Sequence, residues 1–285
     1  MGFFHRHRGA TPYLLLSPGI LWLGLFFLVP IGYLIEQSLQ SGSVLFGFHF
    51  TWQWSNYWDA LKGYRGEFER SFLYAGLATV IALVASYPVA YWIAFHGGRW
   101  KNLLLLFIVA PFFVTYLIRT LAWETILSDH GLVVRLLTDV HIIAPGGRIL
   151  ATGTAVVAGI TYNFLPFMAL PLYVSLEQID PTLIEAAEDL YASKWRAFLR
   201  VTFPLSLPGV VAGTLLTFIP AAGDFINAQL LGSPTTHMIG NVINAKFNGY
   251  PDYPSAAAMS VILMAIILGM VLLYARAVGT EKLTG

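Results

Sequence analysis

A few polar residues lie where water is scarce, and their types suggest the chemistry of passing an ion. Asp224 falls in an apolar run just after Pro220 and Gly223. A carboxylate there could stabilise a cation that has shed its hydration shell. Proline and glycine beside it mark a place where a helix could be interrupted, and transporters set substrate sites at such breaks. In another apolar run Tyr116, Arg119 and Trp123 share one helical face at i, i+3 and i+7. Ring faces on that stripe could hold a cation, although packing is the more ordinary use of aromatics in such runs. Glu124 sits near one end of the same run and could draw cations into a vestibule. Arg119 would repel them, so it is expected to be paired or turned away, and a purely structural Asp224–Arg119 pair is the competing reading. Asn163, beside Tyr162, is a further polar point, of a kind that usually hydrogen-bonds between helices. Ionisable groups in apolar runs are costly to bury, which makes these residues pathway candidates.

Enzyme chemistry is poorly represented. No span or loop gathers a nucleophile, a base and an orienting group, so a multi-pass membrane enzyme is the weaker alternative class. There is no cysteine, hence no thiolate ligand or disulfide. His141, His237 and the two histidines near the N-terminus have no metal-ligand spacing. The phosphate-cradling pattern G-x-x-x-x-G-K-[ST] is missing, and "HGGRWKN" fails its spacing.

The elements that must hold these residues are read from hydropathy. Of 285 residues 57% are hydrophobic and 11% charged, against about 45–50% and 25% in a soluble domain. The excess lies in six runs: Tyr13–Ile35, Phe72–Phe95, Leu103–Leu127, Ile149–Leu176, Ser206–Leu231 and Ala256–Tyr274. Each reaches about the 20 residues needed to cross a bilayer or exceeds them. The fold class expected is all-α: a polytopic membrane protein of six transmembrane helices, taken as one domain over residues 1–285. Prolines within the runs make straight helices unexpected. The first run is too long for the apolar core of a signal peptide and is read as a retained span. A net charge of +1 gives no basis for nucleic-acid binding.

Lys and Arg set the orientation. Arg6, Arg8, Arg99, Lys101, Lys194, Arg196, Arg200, Arg276 and Lys282 fall on one side. Lys62, Arg65, Arg70, Arg135, Arg148 and Lys246 fall on the other, in longer loops. Both termini are therefore expected in the cytoplasm. The outer loops, 36–71, 128–148 and 232–255, are aromatic and rich in Gly and Pro. Trp52, Trp54, Tyr57 and Trp58 suit an interface belt or a short surface helix.

Between the fourth and fifth runs lies "EAAEDLYASKWRAFLRVTFPLSLPG", too charged for a span. Asp180-Pro181 opens a short helix, with Leu183, Ala187, Leu190 and Tyr191 on one face. Ser193 caps a second, with Trp195, Phe198, Leu199 and Thr202 on its apolar face. Pro204 and Pro208 are expected to end it before the fifth span. This is an amphipathic pair on the cytoplasmic side, resting on lipid or docking a soluble partner.

The spacing here resembles the EAA loop of permease subunits of bacterial ABC importers, E-A-A, three residues, G, nine residues, I, one residue, L-P. Glu185, Ala186 and Ala187 match, Val201 stands for Ile and Phe203-Pro204 for Leu-Pro. Tyr191 stands where that family has glycine, which argues against either a left-handed bend there or close packing there. "LLLSPGILWLGLFFLVP", "PFFVTYLIRTLAWETIL", "FIPAAGDFINAQLLG" and "MIGNVINAKF" are similar to the family's spermidine/putrescine branch. The resemblance implies a type I importer permease whose residues 181–203 form coupling helices. Glu185, Ala186, Ala187, Asp189, Leu190, Tyr191, Ala192 and Phe198 would meet or answer an ATPase. It implies a second homologous permease, two ATP-binding subunits, which hold the ATP and Mg, and an extracytoplasmic binding protein, all at the bacterial cytoplasmic membrane. This chain would bind no cofactor. Polyamines are the cargo implied. An opine, an aminoalkylphosphonate or an oxyanion is the alternative, and a self-sufficient secondary transporter is disfavoured by the EAA-like loop.

Overall fold

In the computed structural model, residues 11–141, 143–144 and 146–278 are described, so Arg6, Arg8, the two N-terminal histidines and Lys282 lie outside the described residues. Contacts divide the chain into two compact units: one comprises the residues up to Gly63 with Ala245–Met264, the other Tyr64–Asn244 with Ala265 onward.

In the first unit, α1 (Thr11–Leu23), a π-helical segment Gly24–Leu28 and α2 (Val29–Ser38) make the first long apolar helix. A hairpin of β1 (Gln40–Ser43) and β2 (Gly47–Phe50) follows, then α3 (Ser55–Gly63), the short helix that carries Tyr57 and Trp58. The hairpin was not expected. Its strands are four residues each, β1 has no apolar residue and β2 only Phe48 and Phe50, too short a pattern to mark a strand.

The second unit holds α4 (Arg65–His96), α5 (Lys101–Val109), α6 (Tyr116–Leu127), α7 (Leu132–Asp139), α8 (Gly153–Glu177) and α9 (Pro181–Asp189). After these come α10 (Lys194–Ala197), a π segment Phe198–Thr202, α11 (Phe203–Ala222), α12 (Ile226–Leu230) and α13 (Ile239–Asn244). A last helix, α14 (Tyr253–Val278), gives residues to each unit. Helices α4, α8 and α11 pack on one another and make the core. Small residues line the meeting faces: Ala75, Ala78, Ala82 and Ala90 of α4 are buried, with Ile160, Met168 and Leu172 of α8 and Val211 of α11. At Gly213 an added Cβ would lie 2.8 Å from Met168 Sδ, and at Gly209 2.6 Å from the Pro171 carbonyl oxygen. This Gly-x-x-x-Gly pair therefore lets α11 and α8 touch backbone to backbone.

Five helices among the described residues are long and apolar enough to cross a membrane, and a bent pair makes a possible sixth. That pair corrects the expected third span. Leu103–Leu127 is not one helix: α5 passes through a 3-10 turn, Ala110–Phe113, and an extended Val114, and the stretch Tyr116–Asp139 is bent 93° from Gly98–Phe113. Pro111 cannot donate to the preceding turn and crowds its carbonyl. The fifth run is also corrected at both ends. Helix begins at Lys194 rather than Ser206, running straight through Pro204 and Pro208, and it stops at Ala222 rather than Leu231. The π turn explains the first change. All three π segments among the described residues end two residues before a proline, at Pro30, Pro204 and Pro251. A wider turn there moves aside the carbonyl that the ring would strike.

Helix α9 ends in a Schellman motif. With Leu190 as C-cap, the Ala192 amide donates to the Ala187 carbonyl at 3.1 Å and the Tyr191 amide to Glu188 at 2.9 Å. Tyr191 has φ of 59°, so the left-handed bend forms without glycine, and of the two features its side chain put in question it is close packing that is missing. Leu190 and Tyr191 thus lie beyond the helix and leave its proposed apolar face; they are 82% and 96% exposed. Since a left-handed non-glycine residue costs about 1–2 kcal/mol, Tyr191→Gly is expected to firm this helix end by about 1 kcal/mol. Slower amide exchange at Tyr191 and Ala192 would be the sign, and unchanged exchange would contradict it. At the other end, the Asp180 carboxylate accepts from the Thr182 amide at 2.9 Å, a bond that lowers its pKa from the usual value.

Candidate functional site

The two breaks described above deliver the polar residues to one place. Helix α6 starts immediately after Thr115, so its first turns carry Tyr116, Arg119 and Thr120. The end of α11 at Ala222 releases Gly223 and Asp224 before α12 begins. Asp224 is buried, and its Oδ1 accepts from the amides of Ile226 at 2.8 Å and Asn227 at 3.1 Å, capping α12. Its Oδ2 accepts from the Tyr116 phenol at 2.5 Å and from Asn227 Nδ2 at 2.6 Å. A carboxylate offers about four lone-pair positions, and all are filled here by neutral donors.

Asn227 is the hub of the network. Besides Asp224, its Nδ2 lies 2.5 Å from the Tyr116 phenol, and its Oδ1 accepts from Asn163 Nδ2 at 3.1 Å. Thr120 Oγ1 stands 3.4 Å from that same Oδ1 and accepts from Asn163 Nδ2 at 3.2 Å. Gly159 of α8 makes room, since a Cβ there would sit 2.7 Å from Asn227 Oδ1. Asn163 Oδ1 is buried without a hydrogen-bond partner.

Three residues named from the sequence, Tyr116, Asn163 and Asp224, are therefore brought together. Trp123 and Glu124 are not part of the network: Trp123 meets Tyr162 edge to face at 5.2 Å, and the half-buried Glu124 forms no hydrogen bond or ion pair with the described residues. The competing Asp224–Arg119 pair does not form, because Tyr116 and Asn227 already satisfy the carboxylate. Arg119 is turned onto two rings instead, its guanidinium carbon 5.6 Å from the centre of Phe112 and 5.8 Å from that of Tyr116. Asn227 and Thr120 were missed in the sequence. Their signal was spacing: Asn227 follows Asp224 by three residues and Thr120 follows Tyr116 by four, each one helical turn. Among the described residues no group of His, Cys, Asp or Glu could hold a metal ion.

Residues 181–203 present a second surface. Glu185, Ala186, Asp189, Leu190 and Tyr191 are exposed, and Ala187 and Ala192 are half-buried. Phe198 turns inward, 5.7 Å from Tyr87 and 6.1 Å from Tyr91, ring to ring. Tyr87 also shares a 2.7 Å hydrogen bond with Ser206 of α11. The segment is thus fastened to α4 behind its exposed residues.

Known proteins resemble this chain in sequence and in fold. A family model described as "Binding-protein-dependent transport system inner membrane component" matches residues 86–278. The chain is 36% identical over 259 residues to the spermidine/putrescine transport system permease protein PotB of Haemophilus influenzae, covering 90% of each. To PotB of Escherichia coli it is 40% identical over 201 residues, 70% of this chain and 73% of that one. To the inner membrane ABC transporter permease protein YdcU of the same organism it is 28% identical over 295 residues, 95% of this chain and 91% of that one. Among solved structures it is similar to a bacterial ABC transporter involved in the import of the acidic polysaccharide alginate. That likeness has a TM-score of 0.74 at 16% identity and covers 99% of this chain and 98% of the other. A second structure, that transporter with an alginate pentasaccharide-bound periplasmic protein, gives 0.72 at 17% identity over 100% of both chains. At these identities the likeness is one of fold.

Proposed function

This chain belongs to the family of binding-protein-dependent transport system inner membrane components, and on that premise we propose that it is the permease subunit of an ATP-driven importer of polyamines. The observation that carries the cargo is 36% identity to a spermidine/putrescine permease in an alignment that covers 90% of both chains. In this reading residues 1–285 form one transmembrane domain with both termini in the cytoplasm. It pairs with a second homologous permease. Two ATP-binding subunits hold ATP and Mg, and an extracytoplasmic binding protein delivers the cargo. The chain itself hydrolyses nothing.

The route from ATPase to pathway is a single rod. Glu185, Ala186, Ala187, Asp189, Leu190, Tyr191 and Ala192 meet the ATPase, and Phe198 carries their movement onto Tyr87 and Tyr91. From Lys194 to Ala222 the helix is unbroken for 29 residues, roughly 43 Å at 1.5 Å per residue. It ends at the Gly223–Asp224 break, so a push on the loop arrives where Asp224, Tyr116 and Asn163 are joined. Asp224 offers its negative charge to a dehydrated ammonium that displaces the Tyr116 phenol or the Asn227 amide from it, Asn163 holds the break in place, and Trp123 and Glu124 line the approach. Purifying the complex through this chain tests the assembly: the copurified binding protein should carry spermidine or putrescine. A different ligand class on that protein would overturn the cargo.

A further inference from the structure

We infer that Arg119 is a tethered cation, seated in an aromatic cradle until an ammonium group of the substrate takes its place. The inference rests on the polyamine reading above and assigns a residue that reading leaves idle. Arg119 is 8% exposed, and its Nε and Nη1 are buried with no hydrogen-bond partner. A buried charge deprived of its partner costs about 3–5 kcal/mol. What Arg119 has instead is the faces of Phe112 and Tyr116, both within the roughly 6 Å over which a ring attracts a cation. Those rings are braced in turn: Phe112 edge-on against Phe167 at 5.0 Å and Tyr116 beside Phe164 at 6.0 Å. Tyr116 also donates its phenolic proton to Asp224. A phenol polarised by a carboxylate has a more electron-rich ring, which strengthens its hold on a cation.

Such a cradle asks for positive charge without asking for directional hydrogen bonds. An ammonium group on an alkyl chain meets that demand, and exchanging it for Arg119 leaves the charge of the site unchanged. Calcium and magnesium do not qualify, because they need oxygen ligands or their own water. Arg119 is therefore a specificity residue: it fills the cradle against leak and yields to an organic cation. Its position in the first turn of α6, just beyond the Val114–Thr115 break, allows the side chain to be withdrawn by a small rotation of that helix.

Removing the charge should leave the cradle open. The cation–π contribution of about 0.5–2 kcal/mol then appears as a KM for spermidine lowered roughly 2- to 30-fold. The chain has no cysteine, so Arg119→Cys places a single thiol in this subunit. The experiment uses the complete transporter in proteoliposomes, its other subunits made free of reactive thiols. Arg119→Cys is expected to lower KM; aminoethyl methanethiosulfonate, which leaves an ammonium on the sulfur, should restore it, and the neutral methyl reagent should not. Arg119→Lys should keep the wild-type KM. An unchanged or raised KM in Arg119→Cys and Arg119→Gln, with wild-type uptake intact, overturns the inference. Failure of both neutral variants to assemble, with Arg119→Lys intact, makes the charge an assembly requirement and overturns it too. Wild-type transporter that moves no spermidine sinks the polyamine reading itself, and the inference with it.

Discussion

Asp224→Asn is expected to lower ATP-driven uptake about a hundredfold in an assembled complex. The carboxylate accepts two hydrogen bonds on each oxygen. An amide keeps one oxygen and turns an NH2 toward two donors that need an acceptor. Either the Ile226 and Asn227 amides or the Tyr116 phenol and Asn227 side chain then lose theirs. Each buried donor left unsatisfied costs about 1–3 kcal/mol, and a hundredfold is about 2.7 kcal/mol. The negative charge offered to the cargo is lost as well. Tyr116→Phe removes one donor to Asp224 and the phenol oxygen that Asn227 Nδ2 faces, and should cost roughly tenfold. Uptake and ATP hydrolysis measured together decide the matter: undiminished uptake in Asp224→Asn would remove Asp224 from the pathway.

Glu185→Arg should detach the ATPase while leaving the chain folded. Glu185 is exposed on α9 and makes no hydrogen bond or ion pair with the described residues, so its replacement removes nothing internal. An exposed change of that kind alters stability by about 0.5 kcal/mol or less. At a contact with a partner, a reversed charge costs about 2–5 kcal/mol, enough to lower ATPase copurification by roughly 30-fold or more. Retained copurification, with the thermal midpoint unchanged, would place the docking surface elsewhere.

The long helices were legible because lipid-length apolar runs allow few alternatives, and Gly153–Glu177 lies close to the run expected from 149 to 176. Irregularities at proline were not. Whether a proline kinks, ends or merely widens a helix depends on the turn before it. Pro111 breaks its span, whereas Pro204 passes behind a π turn. For the same reason the second coupling helix was read as separate from the fifth span, although the two are continuous. Within the site, Asp224, Tyr116 and Asn163 stood out by being polar among apolar neighbours. Asn227 and Thr120 did not, because an amide and a hydroxyl in a mixed stretch look like loop or helix surface until the partner helices arrive. Arg119 was legible as a problem, an awkward cation on a cation's route, and its solution lies in two rings that meet it only once the span bends. Tyr191 shows the converse: the motif's spacing located the bend correctly, and the side chain proved no bar to a left-handed residue whose ring projects into open space.

The most direct measurement is uptake of radiolabelled spermidine into proteoliposomes holding this chain, its second permease and the ATPase, with binding protein outside and ATP inside. Accumulation that requires ATP and binding protein, and that fails with Glu185→Arg or Asp224→Asn, is the result predicted here. ATP-driven accumulation of some other solute, with spermidine and putrescine neither moved nor competing, would contradict it.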